Sequence, residues 1–117
     1  MTSRDFRRIA LSLPETSESA HMKHPDFRVR GKIVAALAYP AAGFGMVKLT
    51  PEQQSDFVHD EPKMFAPVKG GWGRKGATNV ILKSAKPDRV RRALLAAWRN
   101  VAPRNTAPKN LAVDLKE

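Results

Sequence analysis

The sequence predicts an α+β domain in which an antiparallel sheet packs against helices on one of its faces. Two segments with helical periodicity lie near the ends of the chain, and short apolar or alternating segments bounded by turn residues lie between them. The expected element order is α-β-β-β-α-β-α. Because short turns join successive strands, these strands are expected to pair as antiparallel hairpins. At 117 residues, 42% of them hydrophobic, the chain is long enough for one domain with its own core.

The first helix is predicted over about residues 3–12. Its apolar positions recur at intervals of three and four residues, which aligns them on one helix face: Phe6, Ile9, Ala10 and Leu13. Thr2 or Ser3 can cap the helix, and Pro14 ends it. We therefore expect this helix to bury one face against the sheet.

Three strands are predicted in the segment that follows. In "HPDFRVRGKIVAALAYP", Phe27 and Val29 alternate with two arginines, which is typical of a strand with one buried face. The pair Gly31-Lys32 is predicted to turn this strand into a more buried one, "KIVAALA". A loop over residues 40–45 then precedes the third strand, "GMVKL".

The sharpest local signal, "TPEQ", marks the start of a second helix. Thr50 can cap this helix, Pro51 suits its first position, and Gln53 completes a capping box. The helix is predicted to run to about His59, and Pro62 ends it.

A fourth strand, "ATNVILK", leads to the final helix, which begins at Pro87 or Asp88 and ends at Pro103. The apolar residues of this helix share one side, so they are expected in the core: Val90, Leu94, Ala97, Trp98 and Val101. Residues 104–117 have no strong period. We therefore predict a single domain over residues 1–103, followed by a C-terminal tail.

The composition favours a soluble, cytoplasmic protein without membrane contact. The chain has no cysteine for a disulfide or a thiol nucleophile, and its first residues lack the apolar stretch of a signal peptide. The longest apolar run, residues 33–39, is far too short to span a membrane. The oligomeric state stays open, with a monomer as the default.

The formal net charge of +10 is concentrated in the second half of the chain. Residues 1–62 contain 8 Lys/Arg and 8 Asp/Glu, whereas residues 63–109 contain 12 Lys/Arg and a single acid, Asp88. Such asymmetry indicates a surface that attracts an anionic partner, although a merely soluble basic protein also fits it.

The segment "GGWGRKG" contains a literal G-x-G-x-x-G at residues 71–76. A nucleotide-binding loop of this type leaves a strand and opens a helix, whereas this string leaves a loop and enters a predicted strand. No acidic residue follows about twenty positions later to bind a ribose, and the Lys-Ser/Thr pair of a P-loop is also missing. We therefore predict no nucleotide cofactor.

What remains is a glycine-hinged tip that carries Trp72, Arg74 and Lys75. Arginine and lysine can pair with phosphates, and an exposed tryptophan can stack on a base. Other cations are predicted to form a supporting rim: Lys69, Arg28, Arg30 and Lys32, with Lys48 as a further candidate. The alternative left open is that Trp72 folds back onto the core while the cations are only solvated.

Four segments carry a family resemblance in one order over about residues 2–103: "HPDFRVRGKIVAAL", "VKLTPEQQ", "PVKGGWGRKGATNVIL" and "LLAAWRNVAP". With these segments the chain resembles the MmcQ/YjbR family of small bacterial proteins. The resemblance implies a CyaY-like α+β fold and DNA binding. It does not imply the iron binding of frataxin-like relatives, because the first helix here has three arginines against Asp5.

The leading hypothesis is a non-enzymatic protein that binds DNA through the phosphate backbone with little sequence preference. Two alternatives stay open: an adaptor whose basic face meets an acidic protein, and a small-anion binder with a pocket behind the "HPDF" strand. His21, His24 and Asp26 provide fewer ligands than a closed metal site needs, so no metal is expected. Nothing in the spacing of histidines, acids and serines favours a catalytic site, so we predict no catalytic residue and no cofactor.

Overall fold

The computed structural model describes residues 1–21 and 24–102, and the predicted tail over residues 104–117 lies outside them. Six strands form one antiparallel sheet: β1 (Thr16–His21), β2 (His24–Val29), β3 (Lys32–Leu37), β4 (Phe44–Lys48), β5 (Phe65–Pro67) and β6 (Ala77–Ile81). Their spatial order is β1-β2-β3-β4-β6-β5.

The helices are α1 (Ser3–Ser12), α2 (Pro51–Asp60), the one-turn α3 (Gly71–Arg74) and α4 (Pro87–Val101), and a 3-10 turn at Leu82–Ser84 follows β6. The predicted α+β class with an antiparallel sheet is therefore confirmed. Within the two described ranges, none of the helices combines the length and apolar character needed to cross a lipid bilayer.

Capping boxes set the starts of α1 and α2. In α1 the Thr2 hydroxyl accepts the Asp5 N–H at 3.1 Å, and the Asp5 carboxylate accepts the Thr2 N–H at 3.0 Å. In α2 the Thr50 hydroxyl accepts the Gln53 N–H at 3.1 Å, and the Gln53 side-chain oxygen accepts the Thr50 N–H at 2.9 Å. Each box satisfies two donors at a helix end, which is why these short polar signals fix the helix starts so well.

The main core lies between one face of the sheet and helices α1, α2 and α4. Trp98 lies at the centre of this core and is 1% exposed, and its indole N–H donates to the Pro14 carbonyl at 2.8 Å. Its predicted core position is therefore confirmed. Phe27 and Val29 of the "HPDF" strand are also fully buried in this core. Both side chains therefore belong to the main core.

Two strands, one turn and the one-turn helix α3, which was not predicted, differ from the sequence prediction. β1 was missed because it is a polar edge strand without apolar alternation, and β5 was missed because it has only three residues. The β2–β3 turn is formed by Arg30 (φ 52°) and Gly31 (φ 83°), so the prediction of Gly31-Lys32 was wrong by one residue. A two-residue hairpin turn of this kind needs positive φ at both central positions.

The opposite face of the sheet has no long helix packed on it in the described part of the chain. It carries a second, smaller apolar cluster: Ala36, Met46, Val68 and Ala77, with the partly buried Ile33, Tyr39 and Trp72 against them. We call this the open face. The glycine string, through Trp72, and Arg28 lie beside it.

Candidate nucleic-acid interface

The glycine string folds as a tightly packed turn. It leaves a loop after β5, forms the single turn α3, and enters β6, so its order is not that of a nucleotide-binding loop. Gly76 has φ 112°, and a Cβ added there would collide with the Leu49 carbonyl. A Cβ at Gly73 would collide in the same way with the Val68 carbonyl. These two glycines are therefore needed for close backbone approach, which orders the tip.

Gln54 of α2 fastens this turn to the rest of the domain. Its side-chain NH2 donates to the carbonyls of Gly73 and Ala77, both at 2.9 Å. The sequence marks Gln54 only as the residue after a capping box, so its role at the tip could not be read from local patterns. Together with the two glycines, these hydrogen bonds hold the backbone of the turn that carries the tip cations.

Lys69, Arg74 and Lys75 are exposed on this ordered turn, and no carboxylate pairs with them in the described part of the chain. Their side chains are therefore available to an external anion. The predicted tip cations are thus brought together by the fold.

Two further exposed lysines extend this group along one end of the sheet. Lys48, the last residue of β4, lies opposite Ala77, and the next N–H, that of Leu49, donates to the Gly76 carbonyl at 3.3 Å. Lys32 begins β3 at the same end of the sheet. With strands about 4.8 Å apart, β3 and β6 are separated by only about 10 Å. We call Lys32, Lys48, Lys69, Arg74 and Lys75 the basic edge.

Arg28 and Arg30, the remaining rim residues of the prediction, have carboxylate partners within the chain. Arg28 donates its Nε and Nη2 to the two oxygens of Asp26 at 2.9 and 3.0 Å, and the Asp26 side chain is only 3% exposed. Hydrogen bonding to Asp26 raises the pKa of Arg28. Arg30 lies 3.3 Å from Glu15. Both charges are therefore largely compensated, and these two residues contribute less to an external field than the basic edge does.

Trp72 does not project freely from the tip. It is half-buried against the open-face cluster, and its ring meets the ring of Tyr39 edge to face, with centroids 5.4 Å apart. Tyr39 in turn meets His24 at 5.8 Å and 81°. The sequence left open whether Trp72 is exposed or folded back. The structure places it between these alternatives, as part of an aromatic line across the open face.

Much of the positive charge in the second half of the chain lies away from the basic edge. Arg92 and Arg99 are exposed on α4, whose apolar side faces the main core. Arg89 of the same helix lies 3.4 Å from Glu61. The charge excess therefore divides between the basic edge and the outer side of α4, a division that the count along the chain could not reveal.

A surface hollow of about 480 Å³ lies at the other end of β4 and β6 from the basic edge. Residues 1–3, 42–44 and 81–83 line it. It contains none of the predicted site residues.

Comparison with known proteins identifies the family. The YjbR family profile matches residues 11–100 of this chain. A search of curated proteins gave no significant match. Among solved structures, the crystal structure of the Deinococcus radiodurans protein DR2400, described by the family domain DUF419, is similar with a TM-score of 0.70 and 17% sequence identity. The match covers 98% of this chain and 88% of that one, and at such low identity it shows the fold alone.

Proposed function

This chain belongs to the YjbR family, as its sequence motifs predicted, and we propose that it is a non-enzymatic DNA-binding protein that contacts the phosphate backbone. The observation that carries the proposal is the basic edge. Five exposed cations lie at one end of the sheet, and within the described residues no acidic side chain pairs with any of them. Uncompensated cations at fixed positions favour a polyanion, because each phosphate they bind releases condensed counterions.

The chemistry of the edge also favours low sequence preference. Arg74 and Lys75 are held by the ordered turn, and long cationic side chains at such positions bind phosphate oxygens, which carry no sequence information. Trp72 lies next to these cations but is half-buried, so in this proposal it has an accessory role.

Salt-dependent binding tests the proposal. Fluorescence anisotropy with a labelled DNA duplex should give an affinity that falls steeply with salt. If all five edge cations bind phosphates, the log–log slope is about −4.5, at about −0.9 for each phosphate. An affinity that does not change with salt would contradict the mechanism.

A matched pair of variants locates the contact. Arg74→Gln/Lys75→Gln should weaken binding and make the slope shallower by about 1.8. Arg92→Gln/Arg99→Gln removes the same charge from α4, away from the edge, and should leave the slope unchanged. Equal losses in both variants would mean that the overall field, and not the edge, attracts DNA. Binding to polyglutamate without binding to DNA would instead favour the adaptor for an acidic protein.

A further inference from the structure

The open face carries an aromatic line that no helix covers in the described part of the chain. The rings of Trp72, Tyr39 and His24 follow one another edge to face, with centroid separations of 5.4 and 5.8 Å. All three residues are only partly buried. Exposed ring surface of this kind offers stacking partners to flat aromatic groups.

Two buried polar atoms on the same face have no hydrogen-bond partner among the residues that the structure describes. They are Nδ1 of His24 and the side-chain oxygen of Asn79. Asn79 pairs with Met46 of β4, a member of the open-face cluster, and His24 contacts Tyr39. Because an unpaired buried polar atom is costly, native structures pair nearly all of them with protein, water or a ligand. The open face is therefore not wholly apolar.

Arg28 adds unused donors beside the same line. It lies on the open-face side of β2, two positions from Asp26 and four from His24, and its side chain is 31% exposed. Within the described residues its bonds to Asp26 use one N–H of Nε and one of Nη2, out of the five that a guanidinium carries. The open face thus combines stacking surface with hydrogen-bond donors.

The basic edge runs along the end of this face, and Trp72 lies two residues before Arg74 in the same turn. We infer that the open face binds the bases of a single-stranded nucleic acid whose phosphates lie on the basic edge. This inference rests on the proposed function and names its substrate class. In a duplex the bases are stacked on one another and cannot reach Trp72 or Tyr39, whereas single strands present their base faces to aromatic side chains.

The roles of the residues follow from this placement. Trp72 and Tyr39 provide the stacking surface, while the remaining N–H groups of Arg28 provide hydrogen bonds to base edges. Because every base has an aromatic face, this arrangement tolerates many sequences, in agreement with phosphate contacts that do not read sequence.

An abasic oligonucleotide separates base binding from phosphate binding. Anisotropy would be measured with three probes: oligothymidylate of about 12 nucleotides, within the ~4–16 that such surfaces occupy, an abasic strand of equal length and charge, and a duplex of that length. We expect oligothymidylate to bind at least about tenfold more tightly than the abasic strand. In Trp72→Leu the ratio of these two affinities should fall towards one, while Trp72→Phe should retain part of it.

Intrinsic fluorescence provides a readout that needs no variant. Trp98 is buried in the core, so a change caused by a ligand on the surface reports on Trp72. Oligothymidylate should quench this fluorescence and the abasic strand should not, a result that decides the question even if Trp72→Leu fails to fold.

Three outcomes are distinguishable. Equal binding of oligothymidylate and the abasic strand, without quenching, overturns the inference but leaves the backbone contact intact. Tighter binding of the duplex than of the single strand also overturns it. Absence of binding to all three probes at low salt overturns the proposed function, and the inference with it.

Discussion

The hydrogen bonds from Gln54 to the tip give the most direct prediction. Gln54→Ala removes two neutral hydrogen bonds of 2.9 Å from a half-buried amide. The carbonyl of Gly73 keeps its bond from the Gly76 N–H, and that of Ala77 keeps its bond from the Val68 N–H, both at 3.0 Å. Neither oxygen becomes unpaired, so the loss is about 1 kcal/mol per bond, or about 2 kcal/mol in the free energy of unfolding.

Equilibrium urea unfolding measures this loss. Ser55→Ala, at the next position of α2 and exposed, is the matched control, because it gains helix propensity without touching the tip. The midpoint of thermal unfolding of Gln54→Ala should fall by about 10 °C. Gln54→Glu should be less stable still, because a carboxylate would face two carbonyl oxygens without a donor.

Hydrogen exchange shows whether the loss is local. The amides of Lys75 and Gly76, which donate within the turn, should exchange faster in Gln54→Ala than amides of the central strand β4. An unfolding free energy within about 0.5 kcal/mol of the unmodified chain, with unchanged exchange at the tip, would refute the claim that Gln54 fastens the turn.

Three further predictions concern the stability of the domain. Gly76→Ala should lower the free energy of unfolding, measured in urea, by about 2 kcal/mol or more, because Gly76 has a positive φ and the new Cβ would collide with the Leu49 carbonyl. Gly71→Ala, where a Cβ meets only the Arg74 side chain at 3.5 Å, should not lower it. Trp98→Phe should cost about 1–3 kcal/mol by loss of the bond to Pro14, and a thermal midpoint equal to that of the unmodified chain would contradict this. Hydrogen bonds from Thr2 lower the pKa of Asp5, so its contribution to stability is present above the ordinary value of 3.8 and is lost as pH falls below it. The stability gap between the unmodified chain and Asp5→Asn should therefore shrink as pH falls through that range, as acid titrations in urea would show.

Local signals predicted the helices almost to the residue. Capping residues and apolar spacing lie within a few positions of one another, so α1, α2 and α4 could be located from the sequence alone. β1 could not, because its exposed polar residues acquire strand structure only by pairing with β2. Strand pairing of this kind is a tertiary effect that overrides local preference.

The site was only partly predictable for the same reason. "GGWGRKG" identified Arg74 and Lys75 because they are neighbours in sequence. Tyr39, Asn79 and Gln54 reach the same region through sheet register and long-range contacts, and no pattern around them marks a site. The partners of Arg28 and Arg30 were likewise hidden, although Asp26 stands only two residues from Arg28 on the same face of its strand.

The sheet explains why charge counted along the chain is a poor guide to charge in space. Lys32 and Lys48 come from the half of the chain with no net charge, yet strand register places them at the same end of the sheet as Lys75. Arg92 and Arg99 come from the basic half, yet α4 holds them away from the edge. Antiparallel pairing brings the start of one strand to the end of its neighbour, so hairpin turns and strand ends gather at one border whatever their order in sequence. The local field that meets a polyanion is therefore set by register and by which cations lack a carboxylate neighbour, and the net charge of +10 sets only the background on which that field acts.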